Sequence, residues 1–238
     1  YQLLNQKWAW SAVLLACSIT TKLIPLLFLP LFYQWFVSKN KRSNSNRFLP
    51  TLKNLSLFYL ITGSVTLLFF LPFYSSTLIE NYMNSVGLWF RNFEFNASFY
   101  YIFREIGFLL RGYNEIAIIG KITPTLTILF VGLITFFRKN KSSKELITAL
   151  LFGLSFYYFT TTTMHPWYLA TLVLLSVFTK YRFPIVWSFV IVLSYFAYSN
   201  QPFKESLGLI TLEYLCVYGF LIWELFFKFS KNRQRIPH

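Results

Sequence analysis

The sequence predicts an all-α fold, a polytopic transmembrane helical bundle of about seven or eight membrane segments with an external amphipathic helical segment. Three observations predict it. Long apolar runs alternate with short polar connectors, 55% of the residues are hydrophobic and 22% aromatic, and the basic residues accumulate in alternate connectors. Soluble proteins are usually less apolar than this. We therefore treat residues 1–238 as a single transmembrane domain, within which residues 74–115 form an external interfacial segment.

The apolar runs are the first element of this prediction. They cover residues 8–37, 55–73, 116–137, 146–163, 167–179, 183–199 and 207–227. At about 1.5 Å per helical residue, most of them are long enough to cross a hydrocarbon core of about 30 Å. The first run is too long for one straight span, and Lys22 and Pro25 interrupt it. Because proline disturbs helices, we expect two short helices, 8–19 and 23–36, that meet at a break.

The distribution of charge predicts the orientation of the bundle. Basic residues fill the connectors 38–54, 138–144 and 180–182 and the C-terminal tail. Such loops stay cytoplasmic, so the C-terminus is expected on the cytoplasmic side of a multi-pass plasma (inner) membrane protein. The intervening connectors together hold four basic residues against five glutamates, and we expect them on the external face; they are residues 74–115, 164–166 and 200–206.

Composition also excludes several classes of function. The net charge of +14 follows mostly from topology and favours contact with anionic headgroups, so no nucleic-acid partner is expected. Cys17 and Cys216 lie inside apolar runs and have neither metal-ligand spacing nor a disulfide framework. We expect no metal and no cofactor. The chain begins at Tyr1 and contains no aspartate, which favours the C-terminal portion of a longer protein.

Lys22 is the first candidate binding residue, because it lies at the predicted helix break near the external surface. An ionisable residue in such a place indicates a functional site, here a contact with a phosphate or a headgroup. The alternative is a lysine that only extends its amine to the membrane interface.

The external segment 74–115 is too long to be a simple connector. Its aromatic residues and scattered charges are typical of helices that lie in the headgroup plane. From Phe99 onward the pattern is helical, and Tyr100 and Arg104 are spaced to share one face. Asn96 also begins a glycosylation sequon, Asn-Ala-Ser. The alternative interpretation is an amphipathic cap over the bundle.

A tight turn at residues 160–168 is the third feature. Pro166 suits the first turn of the helix that follows, and Trp167 and Tyr168 lie where an aromatic belt is expected. His165 can donate a hydrogen bond to a phosphate or carry a proton near neutral pH. The alternative is a structural histidine at the membrane interface.

These segments resemble bacterial polyprenol-phosphate-dependent glycosyltransferases of the GT-C type, especially the mannosyltransferase-like ones. Residues 18–30 read S-I-T-T-K-L-I-P-L-L-F-L-P and are similar to a K-x-x-P-L segment of that group. Residues 92–104, N-F-E-F-N-A-S-F-Y-Y-I-F-R, and 112–114, G-Y-N, resemble an external segment, and M-H-P-W-Y at 164–168 resembles a C-terminal luminal turn. The motifs follow the order of that group.

The resemblance implies an enzyme that moves a hexose, with mannose favoured, from a polyprenyl-phosphate donor to a lipid or glycan acceptor on the non-cytoplasmic face. Members use an acidic residue, often Asp in the first external loop, as the catalytic base. This chain has no Asp, so the base is expected upstream and the isolated chain is expected to be inactive.

The residues present suit such chemistry, since cations and hydrogen-bond donors hold a lipid-phosphate leaving group without requiring a metal. The candidates for phosphate contact are Lys22, Arg91, Arg104 and His165, of which His165 is the catalytic candidate. The candidates for contact with sugar hydroxyls are Glu94, Asn96, Tyr100 and Tyr168. The expected partners are membrane lipids, the polyprenyl-phosphate donor and the acceptor.

Two other classes of function stay open. A multi-helix transporter would place ionisable residues within the membrane, and Glu213 and Glu224 lie in the last apolar run. A non-catalytic lipid-binding membrane subunit would tolerate loss of charge from its external segment.

Overall fold

The structure is a computed structural model that describes residues 1–40, 48–199 and 203–228. The described residues are helical and contain no strand, and a single β-bridge joins Phe95 to Thr163. The predicted all-α fold is confirmed. Part of the charge pattern behind the predicted orientation falls outside the described residues, namely Lys41, Arg42, Arg47, Lys231, Arg233 and Arg235.

The α-helices of the described residues are α1 (Trp8–Thr21), α2 (Phe32–Asn40), α3 (Phe48–Phe70), α4 (Leu78–Asn92), α5 (Phe99–Arg111), α6 (Ile116–Phe137), α7 (Ser143–Thr160), α8 (Leu169–Val177), α9 (Phe183–Val190) and α10 (Leu207–Ile222). Shorter 3-10 helices cover Ile24–Leu31, Leu71–Phe73, Pro166–Tyr168 and Ile191–Ser199, and a π-helix covers Trp223–Lys228. As predicted, Pro166 begins a helical turn that leads into α8.

Three helical stretches are long and apolar enough to cross a membrane, and they are Leu52–Phe73, Ile116–Phe137 and Leu207–Lys228. Their apolar side chains are largely exposed, as those of lipid-facing helices are; Leu67 and Leu129 are examples. Shorter apolar helices accompany them. A count of seven or eight membrane segments stays a prediction.

The predicted break in the first apolar run is confirmed. Helix α1 ends at Thr21, and Lys22 has an extended backbone with φ −156° and ψ 130°. The second piece differs from the expected α-helix, because Ile24–Leu31 is a 3-10 helix that contains Pro30. A proline has no N–H to donate within an α-helix and disfavours the helical conformation in the residue before it. The α-helical conformation therefore begins only after it, at Phe32.

The chain forms two units. The first comprises Tyr1–Val86 and Thr127–Gly153, and in it α1 packs along α3. The buried Ala12 and Ala16 allow this close approach, as small residues do between membrane helices. Phe58 of α3 extends the core, since its ring lies 5.2 Å from that of Phe32.

The second unit comprises Gly87–Leu126 and Leu154–His238, and in it α9 packs against α8 and α10. The buried Trp187 stacks on Phe159 with ring centroids 4.8 Å apart. The carboxylate of Glu224 accepts the backbone N–H groups of Arg182 at 2.7 Å and Phe183 at 3.0 Å, at the start of α9. Glu224 therefore caps a helix, and it also binds Lys228.

Candidate functional site

Three connecting segments meet in the second unit: residues 93–98, 161–165 and 203–206. The first two pair through their backbones. Phe95 N–H donates to the Thr162 carbonyl at 3.1 Å, and Met164 N–H donates to the Phe95 carbonyl at 2.8 Å. The hydroxyl of Thr163 adds a bond to the Phe93 carbonyl. Segments 93–98 and 161–165, which the sequence presents as separate motifs, thus form one structural element.

The third segment joins them through Glu205. One carboxylate oxygen accepts the backbone N–H of Asn96 at 2.6 Å, and the other accepts the hydroxyl of Tyr101. The ring of Phe203 also lies 6.3 Å from that of Phe95. Each of these segments includes residues of one of the three connectors that the charge pattern predicts on one face.

Glu94 is the centre of the polar cluster. Its carboxylate accepts Arg104 Nη1 at 2.6 Å, the Tyr100 hydroxyl at 2.5 Å and Asn114 Nδ2 at 3.2 Å. Tyr100 and Arg104 lie one helical turn apart on α5 and reach the same carboxylate, which confirms that they share a face. The structure therefore brings together three predicted site residues, Glu94, Tyr100 and Arg104.

Arg104 is held on several sides. Besides Glu94, its guanidinium binds Glu105 at 2.9 Å and lies 4.5 Å from the centre of the Tyr101 ring. Burial by itself would lower the pKa of Arg104. The bonds to Glu105 and Glu94 outweigh this effect of burial, so the pKa is raised above its ordinary value. Because two carboxylates compensate one guanidinium, the cluster carries more acid than base.

Burial also raises the pKa of Tyr100 and Tyr101 well above the usual range of a phenol. Their hydroxyls therefore stay protonated and remain donors. Burial raises the pKa of Glu205 above its ordinary value of 4.5, although the bonds from Tyr101 and Asn96 offset part of the effect. A carboxylate with a raised pKa is suited to accept a proton from a hydroxyl.

His165 lies among aromatic rings. Its imidazole is 6% exposed and stacks on Trp167, with centroids 4.4 Å apart and planes 9° apart. Phe95 stacks at 5.1 Å, and Tyr168 meets the imidazole edge-on at 5.4 Å. Two further predicted site residues, His165 and Tyr168, are therefore neighbours. Trp167, which is 59% exposed, presents a ring to the surroundings while the histidine beneath it is buried.

Asn96 faces the interior. It is fully buried, with a left-handed backbone conformation at φ 47°, and its carbonyl accepts the hydroxyl of Tyr214 at 2.7 Å. Its side-chain Nδ2 donates to Glu213 Oε1 at 3.2 Å. In the folded chain the Asn96 side chain, which begins the Asn-Ala-Ser sequon, is therefore turned away from the surroundings.

Two predicted site residues, Lys22 and Arg91, are not among the residues that the structure brings together in this cluster. Lys22 belongs to the first unit, where it is exposed, although partial desolvation lowers its pKa. The side chain of Arg91 lies outside the described part of the structure. Sequence reasoning missed Glu205 and Tyr101; the only available signal was that Glu205 lies in a connector predicted to share a face with the other two.

Across residues 1–40, 48–199 and 203–228, no group of three or more His, Cys, Asp or Glu side chains is arranged to hold a metal ion. No protein-family model, no curated protein and no solved structure matches this chain.

Proposed function

We propose that this chain forms part of an integral-membrane hexosyltransferase of the GT-C type. It transfers a hexose, with mannose favoured, from a polyprenyl-phosphate donor to a lipid or glycan acceptor on the non-cytoplasmic face. One observation carries the proposal: segments 161–165 and 203–206 both bind segment 93–98, which contributes Glu94 to a cluster of carboxylates, tyrosines and an arginine. The first two of these segments overlap the external motifs of the resemblance, at residues 164–165 for segment 161–165 and at residues 93–98 for segment 93–98.

The chemistry of the cluster favours a sugar. Carboxylates such as Glu94 and Glu205 accept hydrogen bonds from pairs of hydroxyls, and the tyrosine oxygens that donate to them can accept a bond from a sugar hydroxyl. The exposed ring of Trp167 offers an apolar platform for the C–H face of a pyranose. A bare phosphate fits less well, because Arg104 is already compensated by two carboxylates. In this proposal the cluster binds the hexose or the acceptor, while Lys22 and Arg91 stay candidates for phosphate contact on the ground of the sequence alone.

His165 and Glu205 take distinct roles in the proposed reaction. The buried imidazole of His165 supports the ring of Trp167 and reaches a substrate when that ring moves aside. Glu205, with its raised pKa, assists the deprotonation of an acceptor hydroxyl. The principal base of the resembling enzymes is an aspartate, and this chain contains none.

The proposed topology has seven or eight membrane segments, with residues 74–115, 164–166 and 200–206 external and the C-terminus cytoplasmic. Support comes from the contacts that parts of these three connectors make with one another, as is expected of connectors on one side. Single cysteines placed in each connector of a variant without Cys17 and Cys216 test this topology. All three should react with a membrane-impermeant maleimide from the same side.

Transfer activity tests the function itself. The full-length protein is reconstituted in lipid with radiolabelled polyprenyl-phosphate mannose and a membrane-lipid or glycan extract. Label should move to an acceptor, and the transfer should fall in Glu94→Ala, Lys22→Ala and His165→Ala while expression is retained. Glu80→Ala, an exposed acid of α4, is the control. Absence of transfer from mannose, glucose and arabinose donors would overturn the proposal.

A transporter is the second candidate, because Glu213 is a fully buried carboxyl within the candidate span Leu207–Lys228. Buried carboxyls within membrane helices mark proton and ion pathways. Uptake of a solute into vesicles that depends on Glu213, without any sugar transfer, would favour this function. Failure of both assays would leave the non-catalytic lipid-binding subunit.

A further inference from the structure

The turn between α6 and α7, in the first unit, encloses an open cleft of about 250 Å³. Its lining combines three cations with an amide and two aromatic rings: Arg138, Lys139, Lys141, Gln34, Phe136 and Phe137. The turn begins where the candidate span Ile116–Phe137 ends, which is the depth of lipid headgroups for a helix that crosses a membrane.

Hydrogen bonds fix the conformation of this turn. The fully buried Asn140 donates from Nδ2 to the Ile134 carbonyl at 2.9 Å, and its backbone N–H donates to Gln34 Oε1 at 3.0 Å. Arg138 Nη1 donates to Asn140 Oδ1 at 3.0 Å and to the Glu145 carbonyl at 2.9 Å. The lysines at 139 and 141 therefore project from a rigid backbone, which limits the entropy lost when they bind an anion.

The acid that follows the turn, Glu145, binds backbone N–H groups of the turn. Glu145 Oε2 accepts the backbone N–H groups of Lys141 at 3.0 Å and Ser142 at 2.9 Å, and Ser142 Oγ accepts the N–H of Glu145. This capping box holds the pKa of Glu145 below its ordinary value of 4.5. All eight carboxyl side chains of the chain lie within the described residues, and none of them forms an ion pair with Lys139 or Lys141 there.

The mouth of the cleft is apolar on one side. Phe136 is 68% exposed and Phe137 is 83% exposed, at the last turn of a helix whose outer surface is apolar. A ligand that matches this lining carries a negative charge close to a hydrocarbon chain. Lysine and arginine bind phosphate, and anionic headgroups attract basic groups near the bilayer surface.

We infer that this cleft binds a phosphate-bearing group, with the headgroup of an anionic lipid as its occupant and the acyl chain along α6. The site is built from residues of the first unit alone and is independent of the proposed sugar transfer. Inorganic phosphate shares the recognised chemistry, and the experiment separates the two sources.

Lipid binding by the purified chain tests the inference. Native mass spectrometry counts bound phosphatidylglycerol and phosphatidylcholine on the wild type, on Lys139→Gln/Lys141→Gln and on the matched control Lys121→Gln/Lys144→Gln. The control removes the same charge from exposed lysines that do not line the cleft. We expect affinity for phosphatidylglycerol to fall about tenfold in the cleft variant and less than about twofold in the control.

Circular dichroism establishes that both double variants keep the helical content of the wild type. An equal loss of affinity in the two variants would mean that only net charge matters, and would overturn the inference, as would binding of the two lipids with equal affinity. In a further arm, inorganic phosphate is added as a competitor. Displacement by millimolar phosphate identifies the phosphate group alone as the ligand, whereas retention of the lipid identifies the whole headgroup and chain.

Discussion

Asn96 and Glu213 form a buried pair that is joined by one hydrogen bond and contains two side-chain oxygens without a hydrogen-bond partner. Asn96 Nδ2 donates to Glu213 Oε1 at 3.2 Å, and Trp187 Nε1 donates to the same oxygen at 2.9 Å. Asn96 Oδ1 and Glu213 Oε2 are buried without a hydrogen-bond partner among the described residues. Buried polar atoms are rarely left unsatisfied, and a proton on Oε2 would make that oxygen a donor, for which Asn96 Oδ1 is the unsatisfied acceptor of the same pair. We therefore expect Glu213 to be a neutral acid in the folded chain.

Glu213→Gln should keep the stability of the wild type, because the glutamine carbonyl accepts from Trp187 and its amide N–H donates to Asn96. Glu213→Ala leaves two buried donors without an acceptor and should lower the free energy of unfolding by about 2–4 kcal/mol. Unfolding by denaturant in detergent micelles, followed by circular dichroism, measures both. A glutamine variant as unstable as the alanine variant would show that Glu213 is ionised.

The helices and the break at Lys22 were predictable because their signals are local. Apolar runs, Pro25 and the spacing of Tyr100 and Arg104 each act within a few turns of the chain. Prolines restrict their neighbours whatever the rest of the protein does, and residues four apart on a helix share a face. For the same reason the sequence located the turn that begins a helix at Pro166.

The contacts of the cluster were not predictable from the sequence. Asn96 meets Glu205 and Glu213 across separations of 109 and 117 residues, and no pattern in one sequence encodes such pairs. Topology indicated only that the connectors share a face. The burial of His165 beneath Trp167 depends on Phe95, which arrives from another connector, so the sequence could not distinguish a catalytic histidine from a supporting one.

Glu94→Ala should destabilise the second unit and abolish transfer, because Arg104, Tyr100 and Asn114 lose a shared acceptor. We expect a loss of about 1–3 kcal/mol in the free energy of unfolding, because three hydrogen bonds to one half-buried carboxylate are lost. Glu80→Ala, at the exposed start of α4, should cost less than about 1 kcal/mol. Denaturant titration compares them, and equal costs would remove Glu94 from the centre of the cluster.

Glu205 should make stability depend on pH. Because burial raises its pKa in the folded chain above the ordinary 4.5, the folded state binds the proton more tightly than the unfolded state. The contribution is therefore fully present below pH 4.5 and is lost as the pH rises through the folded pKa. Glu205→Gln should flatten this part of the profile.

Tyr101→Phe sharpens the test of Glu205. The hydroxyl of Tyr101 lowers the pKa of Glu205 by donating to the carboxylate, so its removal should move the decline in stability to higher pH. Melting temperatures measured across the acid and neutral range give the profiles of the wild type and both variants. A profile that is the same in Glu205→Gln and the wild type would exclude Glu205 as its source.

Trp167 should control access to His165. The imidazole is 6% exposed and stacks on the indole at 4.4 Å, so a histidine-modifying reagent such as diethylpyrocarbonate should modify the wild type slowly. Trp167→Ala should open the imidazole to the reagent and raise the rate severalfold, whereas Trp167→Phe keeps an aromatic cover and should stay close to the wild type. Mass spectrometry of the peptide that contains His165 measures the rate at that residue alone.

Trp10→Ala, which removes an exposed indole of α1, is the control, and it should leave the rate of His165 modification unchanged. Equal rates in the wild type and Trp167→Ala would mean that Phe95 and its neighbours bury His165 by themselves, which would remove the movement of Trp167 from the proposed reaction.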